Sequence, residues 1–298
     1  MIKFQLNKLF FYTCVFSIIS LSCKTDNYYV AFDFTKEHLF TEGIEGPAVD
    51  SKGNLFAVNF NTQGTIGKVS NNGTSTLFVR LPENSIGNGI RFDENDNMYI
   101  ADYINHNILL VKKGSKTPIV YAHNKEMNQP NDLTISNKGI IYLSDPNWGN
   151  NTGNLWMVVN QEIILLEKNM GTTNGIEVNP SGTKLYVNES FQKKVWVYDI
   201  GKDGSIKNKK IFKIFNNFGL DGMRCDSLGN LYICRYGKGT VVILSPDGKL
   251  LKEIYLKGKK PTNITFGGKE KKQCFITMSD RGNFESFYTK TPGKTLFK

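Results

Sequence analysis

Apolar and polar positions alternate along the chain in a short pattern that recurs six times between residues 45 and 277. Each copy starts with Glu, Asn or Asp, alternates through apolar positions, passes a polar turn and ends in a second apolar run. Such period-two alternation between turn residues is typical of β-strands. β-Hairpins are therefore predicted for the six copies, which read EGPAVDSKGNLFAVN, NGIRFDENDNMYIAD, NDLTISNKGIIYLSD, NGIEVNPSGTKLYVN, DGMRCDSLGNLYICR and NITFGGKEKKQCFIT.

The spacing of the copies is nearly constant. Their first residues are separated by 43, 43, 43, 47 and 42 positions and are Glu45, Asn88, Asn131, Asn174, Asp221 and Asn263. A period of about 40 to 50 residues built from hairpins is the signature of a β-propeller, in which each repeat forms one four-stranded blade. We therefore predict an all-β fold, a six-bladed β-propeller over residues 41–298.

The last repeat is short of one strand, because only residues 263–298 remain for it. A strand-like segment, YYVAFDF at residues 28–34, lies before the first repeat. Pairing this segment with residues 284–289 would complete the sixth blade and leave no open sheet edge. We predict that residues 23–40 hold a tether and this closing strand.

The first 22 residues have a different character. Lys3 and Lys8 precede an apolar run over residues 9–19, which is typical of a secretory signal and too short to span a bilayer comfortably. The sequence Ser20-Leu21-Ser22-Cys23 is similar to a bacterial lipobox, although Ser20 stands where Leu is usual. We predict export to the bacterial cell envelope and membrane attachment through a lipid on Cys23. A signal without a lipid anchor is the alternative.

Composition removes several classes of function. The net charge of +10 is spread along the chain, and the short basic runs at residues 257–260 and 269–272 resemble solvated loops. No helix-turn-helix, zinc-finger or RNA-binding signature accompanies the charge, so we predict no nucleic-acid partner. Separately, we expect the protein to be a monomer. Three cysteines outside the signal, Cys225, Cys234 and Cys274, are predicted to be buried apolar residues rather than a disulfide.

The phase of the repeat predicts candidate chemistry. Equivalent positions of rotationally related blades lie equally far from the axis, so the first residues of the six copies converge on the central channel. All six carry side-chain oxygens and two are carboxylates, which suits a hard divalent cation such as Ca²⁺. Zinc would be expected to recruit His or Cys. On the residues alone, strand capping by Asn and Asp is an alternative explanation for any one of these positions, although it explains less well why Glu45 stands at one of them and why the set is uniform.

Several phrases, taken in order over residues 40–285, resemble the SMP-30/gluconolactonase/regucalcin-like family, which includes calcium-dependent lactonases and organophosphatases. They are Glu45-Gly46-Pro47, Pro130-Asn131-Asp132 with Ser144-Asp145-Pro146, Thr173-Asn174-Gly175 with Leu185-Tyr186-Val187, Leu220-Asp221-Gly222-Met223 and Pro261-Thr262-Asn263. The resemblance implies a metal held by Glu45, Asn131, Asn174 and Asp221. Ca²⁺ is the first choice, and Zn²⁺, Mg²⁺ and Mn²⁺ are alternatives.

The same resemblance implies hydrolysis of a lactone, most often an aldonolactone such as gluconolactone, with Asp221 as the general base. A bound cation would polarise the ester carbonyl while a carboxylate takes a proton from the attacking water. No Gly-x-Ser-x-Gly sequence supports a serine-hydrolase route.

The substrate should contact loops that follow the second strand of each blade, on the face of the ring residues. The predicted substrate-binding residues are Asn88, His106, Asn147, Trp148, Glu189, Arg235 and Asn263. A solvated loop face would have a similar composition. Two other functions stay open: a non-catalytic propeller that binds glycan or protein around a structural metal, and a phosphotriesterase-like hydrolase on the same site.

Overall fold

A computed structural model describes residues 1–2 and 27–295. The predicted signal spans residues 1–22, of which 3–22 lie outside the described residues, as does the predicted lipid attachment at Cys23, so both remain predictions. Among the residues that the structure describes, no helix is long and apolar enough to cross a membrane.

Alternating sequence produces strands throughout, and these form six four-stranded antiparallel sheets. Blade 1 contains β2 (Phe40–Val49), β3 (Leu55–Phe60), β4 (Thr65–Val69) and β5 (Ser75–Arg80). Blade 2 contains β6 (Gly87–Phe92), β7 (Met98–Asp102), β8 (Asn107–Val111) and β9 (Ile119–His123). Blade 3 contains β10 (Leu133–Ile135), β11 (Ile141–Asn147), β12 (Thr152–Val159) and β13 (Glu162–Met170).

The remaining blades follow the same order. Blade 4 contains β14 (Thr173–Val178), β15 (Lys184–Glu189), β16 (Lys194–Ile200) and β17 (Ile206–Ile214). Blade 5 contains β18 (Met223–Cys225), β19 (Leu231–Arg235), β20 (Thr240–Leu244) and β21 (Leu250–Tyr255). Blade 6 contains β22 (Pro261–Gly267), β23 (Gln273–Met278), β24 (Asn283–Tyr288) and β1 (Phe32–Asp33), with one 3-10 turn at Lys269–Lys271. The predicted six-bladed propeller is confirmed.

The N-terminal strand closes the ring, as predicted. β1 pairs with β24 with Phe32 opposite Ser286 and Asp33 opposite Glu285. The segment is shorter as a regular strand than the sequence suggests, but the Tyr29 and Phe34 amides extend the contact by donating to the carbonyls of Tyr288 (2.8 Å) and Phe284 (2.9 Å). Blade 6 is therefore built from both ends of the chain.

The core lies between the blades. Each apolar cluster joins residues of neighbouring sheets. In one of them, the centroid of the Phe56 ring in blade 1 lies 4.9 Å from that of Phe78 in the same blade and 5.4 Å from that of Phe92 in blade 2. Burial of each large aliphatic or aromatic side chain contributes about 1.5–3 kcal/mol, so the inter-blade clusters hold the ring rigid. The three cysteines of the propeller are free and buried, as predicted.

Candidate metal and substrate site

Five of the six ring residues meet at one cavity. Glu45, Asn88, Asn131, Asn174 and Asp221 line a space of about 350 Å³ at one mouth of the central channel, hereafter the upper mouth. Each lies on an innermost strand or within two residues of its start. The repeat phase therefore placed these five side chains correctly.

Small residues beside the ring positions let the innermost strands approach. A Cβ atom on Gly46 would lie 2.1 Å from the carbonyl oxygen of Asn88, and the backbone there has a φ of 59°, which favours glycine. A Cβ atom on Gly175 would lie 2.4 Å from the carbonyl oxygen of Asp221. Glycine after the ring residue is what brings neighbouring blades close enough for their first side chains to meet.

Glu45 and Asp221, the two carboxylates among the ring residues, form no ion pair with a described cation. Burial, and next the charge of Asp132, raises the pKa of the Glu45 carboxyl to about 8. Burial, and next the charge of Glu45, raises the pKa of Asp221 well above its ordinary value, although Asn174 donates a hydrogen bond to it. Within residues 27–295, no ion pair joins either carboxylate to Lys, Arg or His. Two negative charges at this spot oppose each other.

Two amide oxygens beside these carboxylates also lack a partner. Asn131 Oδ1 and Asn174 Oδ1 are buried and accept no hydrogen bond from any described group. An unsatisfied buried acceptor costs about 1–3 kcal/mol, so natural structures rarely leave two in one cavity without a reason. Two carboxylates and two free amide oxygens form a hard, all-oxygen donor set with a charge of −2, which fits a divalent cation.

This donor set depends on its amides. Over the described part of the chain, no group of three or more His, Cys, Asp or Glu side chains could hold a metal. The fit therefore rests on the combination of Glu45 and Asp221 with Asn131 and Asn174. The prediction of a metal at these four residues remains a prediction that the geometry favours.

The sixth ring residue, Asn263, lies beneath the cavity instead of in its wall. Its Nδ2 donates to Glu45 Oε1 (3.2 Å) and to Asp132 Oδ2 (3.3 Å), and its Oδ1 accepts from Arg224 Nη1 (3.1 Å). Its side chain is fully buried. Asn263 therefore contacts the back of the Glu45 carboxylate. The sequence predicted that it binds substrate, but the structure does not place it in the wall of the cavity.

Four further predicted substrate residues do not line the cavity, and three of them end the second strands of their blades. Asn147 Oδ1 accepts from the Asn150 amide (3.1 Å), and Glu189 Oε1 accepts from the Gly171 amide (3.0 Å). The Arg235 guanidinium stacks 4.0 Å from the Phe215 ring centroid. His106, the fourth, occupies a turn with a φ of 56° and does not line the cavity.

The correction has a simple geometric cause. Asn147, Glu189 and Arg235 end strands β11, β15 and β19, and successive residues of a strand point to opposite sides. The residue after each one lines the cavity instead. These wall residues are Trp148, Ser190 and Tyr236. Trp148 was predicted, whereas Ser190 and Tyr236 were one position away from the chosen residues.

Six further residues of the cavity wall were not predicted from the sequence to contact substrate. They are Glu42, Gly43, Ile44, Phe191, Thr262 and Ser279. Phe191 carried the one usable signal, a large apolar residue in a polar loop, and 53% of its surface is exposed. Glu42 lies in β2 before the first repeat copy begins, and Ser279 lies in a turn that the repeat pattern does not distinguish from ordinary solvated turns.

Comparison with known proteins agrees with the geometry. The profile of the SMP-30/Gluconolactonase/LRE-like region matches residues 45–280. The chain belongs to this family. The matched SMP-30/Gluconolactonase/LRE-like region begins at Glu45 and includes every ring residue.

Individual relatives of this family are distant. A gluconolactonase of Zymomonas mobilis is 28% identical over 231 residues, which cover 69% of this chain and 64% of the relative. A diisopropyl-fluorophosphatase of Loligo vulgaris is 24% identical over 297 residues, which cover 89% of this chain and 94% of the relative. The structure of a calcium-binding regucalcin from Agrobacterium tumefaciens superposes with a TM-score of 0.75 at 19% identity and covers 90% of this chain and 97% of that one. This last likeness supports the fold.

Proposed function

We propose that the protein is a metal-dependent hydrolase that opens a lactone ring of the sugar type. The observation that carries this proposal is the meeting of two partnerless carboxylates with two unsatisfied amide oxygens in one open cavity. Family membership and the similarity to a gluconolactonase support the reaction class.

The metal would be held by Glu45, Asn131, Asn174 and Asp221. The hardness of the four oxygens favours Ca²⁺, with Zn²⁺, Mg²⁺ and Mn²⁺ as alternatives. When bound, the cation supplies a Lewis acid that polarises the lactone carbonyl and stabilises the charge that develops on its oxygen.

Asp221 is the proposed general base. Part of its surface is open to the cavity, and Asn174 Nδ2 holds its carboxylate by a hydrogen bond. One carboxylate oxygen would take a proton from water as the water oxygen bonds to the carbonyl carbon. The bond from that carbon to the ring oxygen then breaks, and the ring oxygen receives the proton. The product is a hydroxy acid, with one water consumed.

Glu45 has a different part in the proposal. It is held from both sides, by the Gly46 amide on Oε2 and by Asn263 Nδ2 on Oε1 (3.2 Å). A carboxylate fixed in this way contributes charge and position to the metal and is poorly placed to shuttle a proton. The two carboxylates are thus expected to differ in function.

A second candidate is phosphotriester hydrolysis at the same site. It is favoured by the near full-length similarity to the diisopropyl-fluorophosphatase. The same carboxylates and metal would then act on a phosphoryl centre, so only substrate turnover separates the two reactions. A propeller that binds glycan or protein without catalysis is the remaining alternative.

The proposal is tested by following acid release at constant pH from a panel of aldonolactones and from a phosphotriester, with and without a chelator. Hydrolysis of at least one aldonolactone, abolished by chelator and restored by Ca²⁺, is the expected result. Turnover of the phosphotriester alone would move the assignment to the second candidate. No turnover of either class in the presence of all four metals would leave the binding protein as the better description.

Export and a lipid anchor on Cys23 belong to this proposal as well. They rest on the basic, apolar and lipobox-like order of residues 3–23. We expect the full chain in a bacterial host to sediment with membranes and Cys23→Ser to shift it to the soluble exported fraction. Equal fractionation of the two forms would argue against the anchor.

A further inference from the structure

The wall of the upper cavity is chemically divided. One side consists of aromatic residues from three successive blades, Trp148 of blade 3, Phe191 of blade 4 and Tyr236 of blade 5. The opposite side carries Asn88 of blade 2 and, from blades 1 and 6, small or acidic groups together with Ile44, whose side chain is buried. We call the three aromatic residues the aromatic arc. A substrate above the metal site would meet flat apolar surface on one side only.

Two members of the arc form a built pair. The rings of Trp148 and Phe191 lie 5.4 Å apart at an angle of 66°, which is a favourable edge-to-face arrangement. Phe191 is nevertheless 53% exposed, and its amide is anchored to Thr172 Oγ1 (3.0 Å). An aromatic ring that is fixed by its backbone yet open to solvent at the mouth of a cavity is suited to contact a ligand.

The charge of the wall has one sign. Among the residues that line this cavity, none is Lys, Arg or His, whereas Glu42, Glu45 and Asp221 are acidic. Arg235, the cation that the sequence assigned to the substrate, is held away by Phe215 and by the carbonyl oxygen of Asn217. A divalent cation would offset Glu45 and Asp221, and Glu42 would still add a negative charge at the rim.

We infer that this site selects an uncharged lactone whose flat C–H face stacks on the aromatic arc, and that it rejects lactones bearing phosphate, sulfonate or carboxylate. This inference rests on the proposed lactonase function. An anionic substituent would find no cation in the wall and would be repelled by the rim carboxylate. An uncharged ring would bury apolar surface against Trp148 and Phe191.

The test compares two lactones of one skeleton, glucono-δ-lactone and its 6-phosphate, on the full-length protein with saturating metal. We expect kcat/KM to favour the neutral lactone by about tenfold, because the phosphate would meet the rim carboxylate and no cation in the wall. In Phe191→Ala, KM for the neutral lactone should rise about five- to tenfold with little change in kcat. Phe218→Ala is the matched control, because Phe218 is a comparably exposed aromatic that does not line the cavity.

A gain of function sharpens the result. Ser279→Lys adds a cation to the wall and should raise the ratio of kcat/KM for the 6-phosphate to kcat/KM for the neutral lactone. Equal or better hydrolysis of the 6-phosphate by the unmodified protein would overturn the inference and leave the lactonase function standing. The inference would also be overturned if Phe191→Ala had the same KM for the neutral lactone as the control variant Phe218→Ala. Hydrolysis of neither lactone would overturn the proposed function and the inference with it.

Discussion

The two ends of the central channel bury carboxylates in opposite ways. At the upper mouth, Glu45 and Asp221 face an open cavity without an ion pair to any described cation. At the other end, the lower mouth, Glu177 Oε1 lies 2.6 Å from Lys294 Nζ. Between them, Asp132 Oδ1 lies 3.0 Å from Arg91 Nη2. Depth of burial does not explain the contrast, because Glu45 is 7% exposed and Glu177 is 1% exposed.

The difference lies in where the positive charge comes from. Removing a charge from water is costly unless it is paired, and a buried carboxylate left alone responds by holding its proton. The chain supplies Arg91, Arg224 and Lys294 to the lower acids, and burial lowers the pKa of Arg91 only to about 10, which keeps it cationic near neutrality. No described Lys, Arg or His forms an ion pair with Glu45, whose pKa is raised to about 8. We therefore read the lower end as structural and the upper end as built for an external cation.

Lys294, the cation paired with Glu177 at the lower mouth, lies on the C-terminal segment. The amide of Gly293 donates to the Lys271 carbonyl (2.9 Å) and the amide of Lys294 to the Cys225 carbonyl (3.2 Å). These bonds carry the segment from blade 6 across to blade 5, and the Lys294 side chain enters the lower mouth beside Glu177 of blade 4. Both ends of the chain thus help to close the ring, the first through β1 and the second through this crossing.

Catalysis should give the largest contrast. At saturating metal, Asp221→Asn should lower kcat by roughly 10²–10⁴-fold, the usual contribution of a general base, whereas Glu45→Gln should recover a sizeable part of its activity. Both substitutions remove one charge from the donor set and should weaken metal affinity. The comparison must be made as kcat across a metal titration. Equal recovery of the two variants would make Asp221 a ligand only, and Glu42, the other acidic residue of the wall, would be the next to test.

Breaking the lower ion pair should give the next largest effect. Lys294→Met leaves Glu177 buried without its ion-pair partner and should reduce the free energy of unfolding by about 3–5 kcal/mol. The double variant Lys294→Met with Glu177→Gln removes both charges and should recover much of this loss. Lys52→Met, an exposed lysine at the same mouth, is the control. Urea unfolding of the four proteins measures the difference, and a single variant as stable as the control would show that the pair is not needed.

A smaller effect concerns pH in the metal-free protein. Glu45 has a folded pKa of about 8 and an ordinary value of 4.5, so the folded protein binds the extra proton between them. Stability from this group is fully present below about pH 4.5 and is lost as pH rises through about 8. Melting temperatures in chelator should fall over this range, and Glu45→Gln should flatten the fall. An unchanged slope in the variant would place the titrating group elsewhere.

The sequence predicted those features that follow from the repeat and missed those that depend on contacts between distant residues. The five ring residues at the cavity are set by the period alone. Asn263 has the same period, yet its side chain is held beneath the cavity because Arg224 donates to its amide oxygen, a contact that the repeat does not reveal. Lys294 reaches Glu177 from 117 positions away and has no counterpart in the pattern.

The wall of the cavity was missed for a more local reason. The end of each second strand was correctly located, but the sequence does not reveal which of two successive side chains faces the channel. Arg235 and Tyr236 illustrate this, since the polar residue was chosen and the aromatic one lines the wall. Phe191 lies one residue further along its loop, where strand alternation no longer applies.

The most direct test of the contrast between the two mouths is thermal unfolding of the metal-stripped protein across a titration with Ca²⁺, repeated with Zn²⁺, Mg²⁺ and Mn²⁺. A ligand that binds only the folded state raises the melting temperature progressively with its concentration. We predict that at least one of the four cations raises the melting temperature in this way. The rise should be lost in the double variant Glu45→Gln with Asp221→Asn and should be retained in Glu177→Gln. A melting temperature that none of the four cations changes would contradict the claim that the upper mouth is built for an external cation.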